Sequence, residues 1–396
     1  MRVLWISDNP WNATGFGKVS HYITHHLKEH GLDIVMAGFS STAIINWDGI
    51  NVYPYANPLS EFIKFIEKRE GEIDVVVFHG SPWIYPFNKI LPQIPHYVKT
   101  HPEKRFIGYF VHEALEVPDQ TIWFFKLCHL LVTPTHYTAK VLNIDRYHVV
   151  PHGVNPEIWK PIEEDQEPQI GATISMIAKN HLRKRWDLYF EVIARLLKDG
   201  YIVTALPWVV DKGYWNIDLI VNTIEKQHKV KIPIIKPTNY EVFWGIPEPE
   251  QPFWYRNITI NTTITMGEAW ALPITETLAM GIPNIAIDYG AIKEWAGDMI
   301  EYIEPAKDAW YYSIDGMKHP IPSVDDAVRK IKDMLDRWEK TAQKAMKASR
   351  YVRKHLTWEN AAKEMVKAIE KAHEYDTLIV NEEEKLHPPL KPKVIE

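Results

Sequence analysis

The stretch GEAWALPITETLAMGIP, Gly267 to Pro283, sets two carboxylates, Glu268 and Glu276, eight positions apart around the start of a short apolar helix. Pro273 suits the first helical turn and Gly281 suits its end, while Leu272, Leu278 and Ala279 can pack inward. The partial positive charge at a helix N-terminus favours a nearby carboxylate, so one of the pair can be structural. Two acids aimed into a crevice suit a different task. Carboxylates only accept hydrogen bonds, and they take them in pairs from vicinal hydroxyls such as those of a ribose or hexose.

Three further stretches carry groups with chemistry in them. AKNHLRKRWD, 178–187, crowds Lys179, Arg183, Lys184 and Arg185 onto one strand-to-helix loop, either as a solvated basic surface or as a charge that neutralises a diphosphate. WNATGFGKVSHY, 11–22, is a glycine loop between a strand and a helix, where Gly15 and Gly17 allow either close approach to an anion or a plain tight turn. It fails as a dinucleotide fingerprint, because Ser20 stands where the third glycine belongs and the next strand ends in MAGFSS without a ribose-binding acid. YFVHEALEVPD, 109–119, ends a strand on His112 and Glu113, with His112 either a donor to a sugar hydroxyl or leaving phosphate, or a satisfied structural histidine. His79 and His152 are secondary candidates at other strand ends. No Asp-x-Asp pair of the kind that holds a divalent ion between diphosphate oxygens occurs, and no metal site is expected.

These residues need elements to hold them. The 396-residue chain suits two domains of ~150 to 200 residues. Runs such as RVLWIS (2–7), LDIVMAGF (32–39), IDVVVFHG (73–80), RFIGYFVH (105–112), LLVTPT (130–135) and HVVPHG (148–153) alternate with amphipathic stretches, the pattern of a parallel sheet with crossover helices. Between the first two, KVSHYITHHLKEHG predicts a helix that stops at Gly31. The acidic stretch IEEDQEPQ, 162–169, reads as a hinge, after which the alternation restarts through IGATISMIA, YIVTALPWVV, KIPIIKP, NITINTTI, PNIAID and IEYIEP, with helices at 187–199 and 216–227. From Val324 to about Ala372 the chain reads as helical, and NEEEKLHPPLKPKVIE as a loosely ordered tail. Two doubly wound Rossmann-like α/β domains facing across a cleft is the expected architecture: 1–160 and 161–349, helices of about 350–372 returning to the first, and a charged tail at 373–396.

Composition narrows the function. A net charge of −6 argues against nucleic-acid binding. The lone Cys128, in an apolar run, excludes an intramolecular disulfide and reads as a buried thiol. The sixteen tryptophans and nineteen tyrosines serve mostly as core. With no signal segment at the start and no apolar run long enough to span a bilayer, the expectation is a cytoplasmic protein. Abundant Lys and Glu with scarce Cys hint at a thermophile. Segment 81–105, which mixes aromatics with Lys89, Lys99, Lys104 and Arg105, offers a possible peripheral contact with the inner face of a membrane.

Together the motifs resemble the retaining glycosyltransferases of the GT-B fold, specifically the family 4 group. GEAWALPITETLAMGIPNIAIDYGAIKEWAGD is similar to that family's Glu-x7-Glu region, MIAKNHLRKRWDLYFEVIARL to its GRxxxxKGxD segment, and VTPTHYTAKVL with YHVVPHGVNPEIWKP to its SxxxxxxL and PxGVDxxxFxP run. The resemblance implies a nucleotide-diphosphate-sugar donor, UDP- or GDP-linked before others, bound to the second domain. A carbohydrate, glycolipid or protein acceptor would lie on the first, with no cofactor or metal required. It implies that Glu276 holds the ribose, Glu268 contacts the transferred sugar, Lys179 and Lys184 meet the diphosphate, and His112 lies near the sugar's primary hydroxyl. Gly15 and Gly17 match the N-terminal glycine loop, and the backbone at Ala271 and Leu272 lies by the sugar and phosphate. Transfer would retain anomeric configuration by front-face attack. Three departures stand out: Ala269 and Ala271 replace common glycines, which strains the loop if those positions need positive φ, and Lys179 replaces an arginine. The alternatives are a catalytically silent nucleotide-sugar-binding scaffold and a nucleotide-sugar epimerase of the same fold.

Overall fold

The computed structural model describes residues 1–162 and 171–380, which form two compact α/β units. Of the described residues, the first comprises Met1–His112, Glu116–Pro151 and 361–380; the second comprises Glu113–Leu115 and the described part of His152–Asn360. Most of the predicted hinge, 163–169, and the expected tail from 381 lie outside the described residues; of the expected tail, 373–380 is described, with Leu378 and Val380 buried in the first unit's core.

In the first unit eight strands run β1 (Arg2–Ser7), β2 (Asp33–Gly38), β3 (Ile45–Trp47), β4 (Ile50–Pro54), β5 (Val75–Gly80), β6 (Arg105–Phe110), β7 (Leu130–Thr133) and β8 (Tyr147–Val149). The sheet order is β3-β4-β2-β1-β5-β6-β7-β8, parallel throughout except the β3–β4 pair. The run VVVFHG of β5 is buried at every position, as a strand covered on both faces must be. The helix Gly15–Glu29 follows β1 and turns Val19, Tyr22, Ile23 and Leu27 inward; it ends at His30, and Gly31 takes φ +83° just beyond. The predicted strands of this half are all present: the first matches in full, the next four are shortened, and the last runs Tyr147–Val149 and so keeps only two residues of HVVPHG. The short β3 and β4 were not foreseen, since INW and INVYP carry too few residues to show a period.

The second unit holds β9 (Ala172–Ile177), β10 (Val203–Trp208), β11 (Ile260–Thr263), β12 (Asn284–Ile287) and β13 (Glu301–Ile303), all parallel, in the order β10-β9-β11-β12-β13. The helix Trp186–Lys198 buries Trp186, Tyr189, Phe190 and Ile193 in a core with Ile174, Val203 and Ile260. KIPIIKP, expected as a strand, makes only a single bridge between Ile234 and Ala205; two prolines remove the N–H groups a ladder needs. An unforeseen antiparallel hairpin, β14 (Pro305–Tyr312) and β15 (Lys318–Pro322), follows β13. The helices Val324–Asp336, Trp338–His355 and Trp358–Ala372 complete the described chain, as their periodicity predicts.

Candidate functional site

Strand order decides where a doubly wound sheet leaves room. In the second unit β10 lies on one side of β9 and β11 on the other, so the connections leave β9 in opposite directions and open a crevice at the carboxyl ends of β9 and β11. A small cavity lies there, lined by Met176, Ile177 and Ala178 from the end of β9, Thr262, Thr263 and Thr265 from β11 and the turn after it, and Lys184, Glu268, Ala271 and Pro273.

The loop after β11 carries Glu268 into this crevice. Gly267 sits at φ +130°, and a Cβ there would stand 2.7 Å from the carbonyl oxygen of Glu113, so only glycine allows the two backbones to pass. Ala271 takes the left-handed conformation, φ +66° and ψ +77°, just before the helix Leu272–Ala279, which has no side-chain cap. Of the two alanines flagged in the sequence, the strain falls on Ala271 alone; Ala269 does not have positive φ. Pro273 has no N–H, and the amide of Ile274 turns back to the carbonyl of Ala271 at 2.9 Å.

Glu268 is buried and meets two cations. Lys184 donates to its Oε1, and Arg183 Nη1 lies 3.1 Å from the same oxygen. Burial raises the carboxyl's pKa, but the charges of Arg183 and Lys184 outweigh it and hold the group down to about 2. The same burial, with the neighbouring Arg183 charge, lowers the Lys184 ammonium to about 8, although Glu268 pulls the other way. Arg183 also reaches Glu113 Oε1 at 2.9 Å and donates to the Gly267 carbonyl at 2.7 Å. The result is a four-membered ionic cluster, Glu113–Arg183–Glu268–Lys184, in which Glu268 is buried and the other three are partly so.

Glu276 is not at the helix entrance but in its fifth position, buried, where it accepts a hydrogen bond from the Tyr255 hydroxyl at 3.1 Å. Tyr255 in turn packs on Trp159 and Trp208. The sequence reading missed Tyr255, which lies 21 residues away and follows no local spacing rule. It placed Glu113 in a candidate stretch without giving it a role, and grouped Arg183 with the cations that could neutralise a diphosphate, where the structure pairs it with Glu113 and Glu268.

The structure distributes the other candidates. Lys179 is exposed on the loop after β9, and its backbone carbonyl accepts from the Trp186 indole at 3.3 Å, so it does not join the ionic cluster. His112, in the first unit, is fully buried beside Trp83 and Phe125. His152 is buried near Trp270, and that burial lowers its pKa to about 3. Gly15 and Gly17 open the first unit's first helix. Thr14 caps it by accepting from the Gly17 amide at 2.9 Å, and a Cβ on Gly17 would stand 2.5 Å from the Asn12 carbonyl oxygen. Cys128 is buried, and burial pushes its thiol up to about 12. On Gly15–Glu29, His21 accepts from the Trp47 indole, and His25 and His26 face Glu29. Among the described residues no group of three or more His, Cys, Asp or Glu could hold a metal ion. No helix among them is long and apolar enough to cross a membrane.

The basic residues of segment 81–105 divide. Lys89 and Lys99 are exposed, but Lys104 is buried against Glu67 at 2.7 Å, and Arg105 is buried with Asp376 at 3.0 Å. Two of the four are therefore unavailable to lipid headgroups.

No protein-family model matches the chain. It is 24% identical over 245 residues to "Putative glycosyltransferase 45" of Sulfolobus islandicus filamentous virus (isolate Iceland/Hveragerdi), over 59% of this chain; the chain spans 62% of that relative's length. Sucrose-phosphate synthase from Thermosynechococcus elongatus matches with a TM-score of 0.71 at 10% identity, over 94% of this chain and 99% of the other. HepE of Anabaena, in complex with UDP-glucose, matches with a TM-score of 0.66 at 10% identity, over 93% and 99%. At such identities the shared property is the fold. The chain has the GT-B fold, two Rossmann-like α/β units of the kind found in glycosyltransferases.

Proposed function

We propose that the protein is a retaining glycosyltransferase of the family 4 type, which moves a sugar from a nucleotide-diphosphate donor to an acceptor hydroxyl. The observation that carries this reading is the cavity at the switch point of the second sheet, where Lys184, Glu268 and an uncapped helix N-terminus converge. A diphosphate needs positive charge and N–H donors; Lys184 supplies the first, and the start of Leu272–Ala279 adds the Leu272 amide and its partial positive charge. The Glu268 carboxylate, held ionised, accepts from hydroxyls of the transferred sugar, and Glu276 with its Tyr255 partner holds the ribose. His112 is assigned, on its motif alone, to the neighbourhood of the sugar's primary hydroxyl. Lys179 is exposed and sits apart from the cluster, so we give the diphosphate to Lys184 and leave Lys179 the outer phosphate at most.

In this mechanism the acceptor hydroxyl attacks the face that the nucleotide leaves, and the departing phosphate oxygen takes the acceptor proton. The anomeric carbon to phosphate-oxygen bond breaks as the carbon to acceptor-oxygen bond forms. Charge growing on the leaving diphosphate is met by fixed groups, Lys184 and the helix N-terminus, so the reaction as proposed draws on no metal ion. The UDP-glucose bound to HepE makes a uridine donor the first to try.

The test is thermal unfolding of wild type and Glu276→Ala with UDP, GDP, ADP, dTDP and their common sugar conjugates, without added metal. A ligand at 100 times its dissociation constant stabilises the folded state by about 2.7 kcal/mol, a rise of several degrees. One nucleotide class should stabilise the wild type and lose most of that effect in the variant. Silence across the whole panel at millimolar ligand would overturn donor binding.

A further inference from the structure

We infer that Arg183 is a positioning residue: it anchors Glu268 to the Glu113 backbone segment and stays with it, so that Lys184 alone is released toward the donor diphosphate. The inference rests on the donor site proposed above. The guanidinium spends its donors on three acceptors from two segments, Glu113 Oε1 at 2.9 Å, Glu268 Oε1 at 3.1 Å and the Gly267 carbonyl at 2.7 Å. Its own carbonyl accepts from the Met266 amide at 2.8 Å, so the arginine is tied at both ends to the loop that carries Glu268. Among the described residues the Lys184 ammonium pairs with Glu268 alone, and it lines the cavity; Arg183 is not among the residues that line it.

A single carboxylate between two cations poses a problem when an anion enters. If both cations turned to the diphosphate, Glu268 would be left buried and uncompensated beside two phosphates. If one is fixed by geometry and the other is free, the ammonium can move to the phosphate while the guanidinium keeps Glu268 ionised and aimed at the sugar. The rigid fork of arginine suits the fixed role and the flexible ammonium of lysine suits the mobile one. His181 and His319 beside the cluster are both held below the ordinary histidine range, burial being the main cause, and Arg185, which reaches the Met266 sulfur, is paired with Asp187 at 2.6 Å.

The variants are Arg183→Lys, which keeps the charge and loses the fork, and Arg183→Gln, which loses both. Glu113→Gln removes the far anchor. Three readings separate the roles: affinity for UDP and GDP by calorimetry, kcat and KM for hydrolysis of UDP-glucose and GDP-glucose, and the titration of the Glu268 carboxyl followed by NMR on carbon-13-labelled glutamate, assigned through Glu268→Gln. Arg183→Lys and Arg183→Gln should lower kcat about 100-fold while nucleotide affinity stays within about three-fold, because misplacing a reacting group costs rate before binding. The Glu268 titration should move upward in Arg183→Gln, and Arg183→Lys should restore that midpoint without restoring kcat. Equal losses in kcat/KM and nucleotide affinity would overturn the inference, since Arg183 would then bind the diphosphate itself. An unmoved Glu268 titration would also overturn it. If no nucleotide binds the wild type, the donor site falls instead, and the carboxyl titration still decides whether Arg183 holds Glu268. If Arg183→Gln does not fold, Arg183→Lys and Glu113→Gln carry the kinetic comparison.

Discussion

The two units have the same kind of switch point and use it differently. In the first, β1 lies between β2 and β5, and neutral side chains pair with one another around the ends of β1 and β5. Ser7 Oγ meets His79 Nδ1 at 3.0 Å, the Trp5 indole donates to Ser20 at 3.0 Å, and Phe16 stands edge-on to His79. The helix that follows has its N-terminus closed by Thr14. In the second unit the corresponding crevice keeps a cavity, its helix has no cap, and a buried carboxylate with two cations stands at the entrance. The fold supplies a switch point in each unit; in the second it carries a buried carboxylate and two cations.

That contrast can be broken by substitution. The largest effect should come from Glu268→Gln, which leaves Lys184 and Arg183 facing each other half-buried. Removing one partner of a buried ion pair costs about 3–5 kcal/mol, a fall in Tm of roughly 10 °C by thermal unfolding. The same variant should change the acid limb. Because the folded-state pKa of Glu268 is depressed to about 2, its contribution is complete above the ordinary carboxylate range and is lost as pH falls toward 2. Stability measured between pH 5 and 2 should therefore fall less steeply in Glu268→Gln than in wild type, and parallel curves would contradict the ionised, paired carboxylate.

A middle effect is expected from Thr14→Ala, which removes the cap of the first unit's helix. Loss of such a cap costs about 1 kcal/mol, a few degrees in Tm. Nucleotide-induced stabilisation should be unchanged; weakening it would mean that the glycine loop with Gly15 and Gly17 shares in donor binding, and the contrast between the units would collapse. The smallest effect should be that of Ala271→Gly. Left-handed backbone costs a residue with a Cβ about 1 kcal/mol, and glycine recovers part of this at the expense of a more flexible unfolded chain. A rise of at most about 1 kcal/mol is expected, read as a degree or two in Tm, and a clear fall would mean that the alanine methyl packs to advantage.

Much of this was legible in the sequence. RVLWIS and VVVFHG announce strands buried on both faces, KVSHYITHHLKEHG shows a helix and its end at Gly31, though not its Thr14 cap, and the Glu268–Glu276 spacing singles out the loop at the crevice. What misled was local likeness: KIPIIKP has a strand's composition but prolines where a ladder needs donors, and Lys104 and Arg105 read as surface charge until Glu67 and Asp376 are brought to them from 37 and 271 residues away.

The sequence by itself determined the alternation of strands and helices, the two-unit order and which loops carry acids and bases, because those follow from periodicity and from residue type at short range. Only the tertiary structure decided that Arg183 links Glu113 to Glu268, that Tyr255 stands on Glu276, and that Lys184 lines the cavity while Lys179 stays outside. These pairings depend on strand order and loop closure over tens of residues, where hydrogen-bond and charge partners are chosen by distance in space, which no spacing along the chain records.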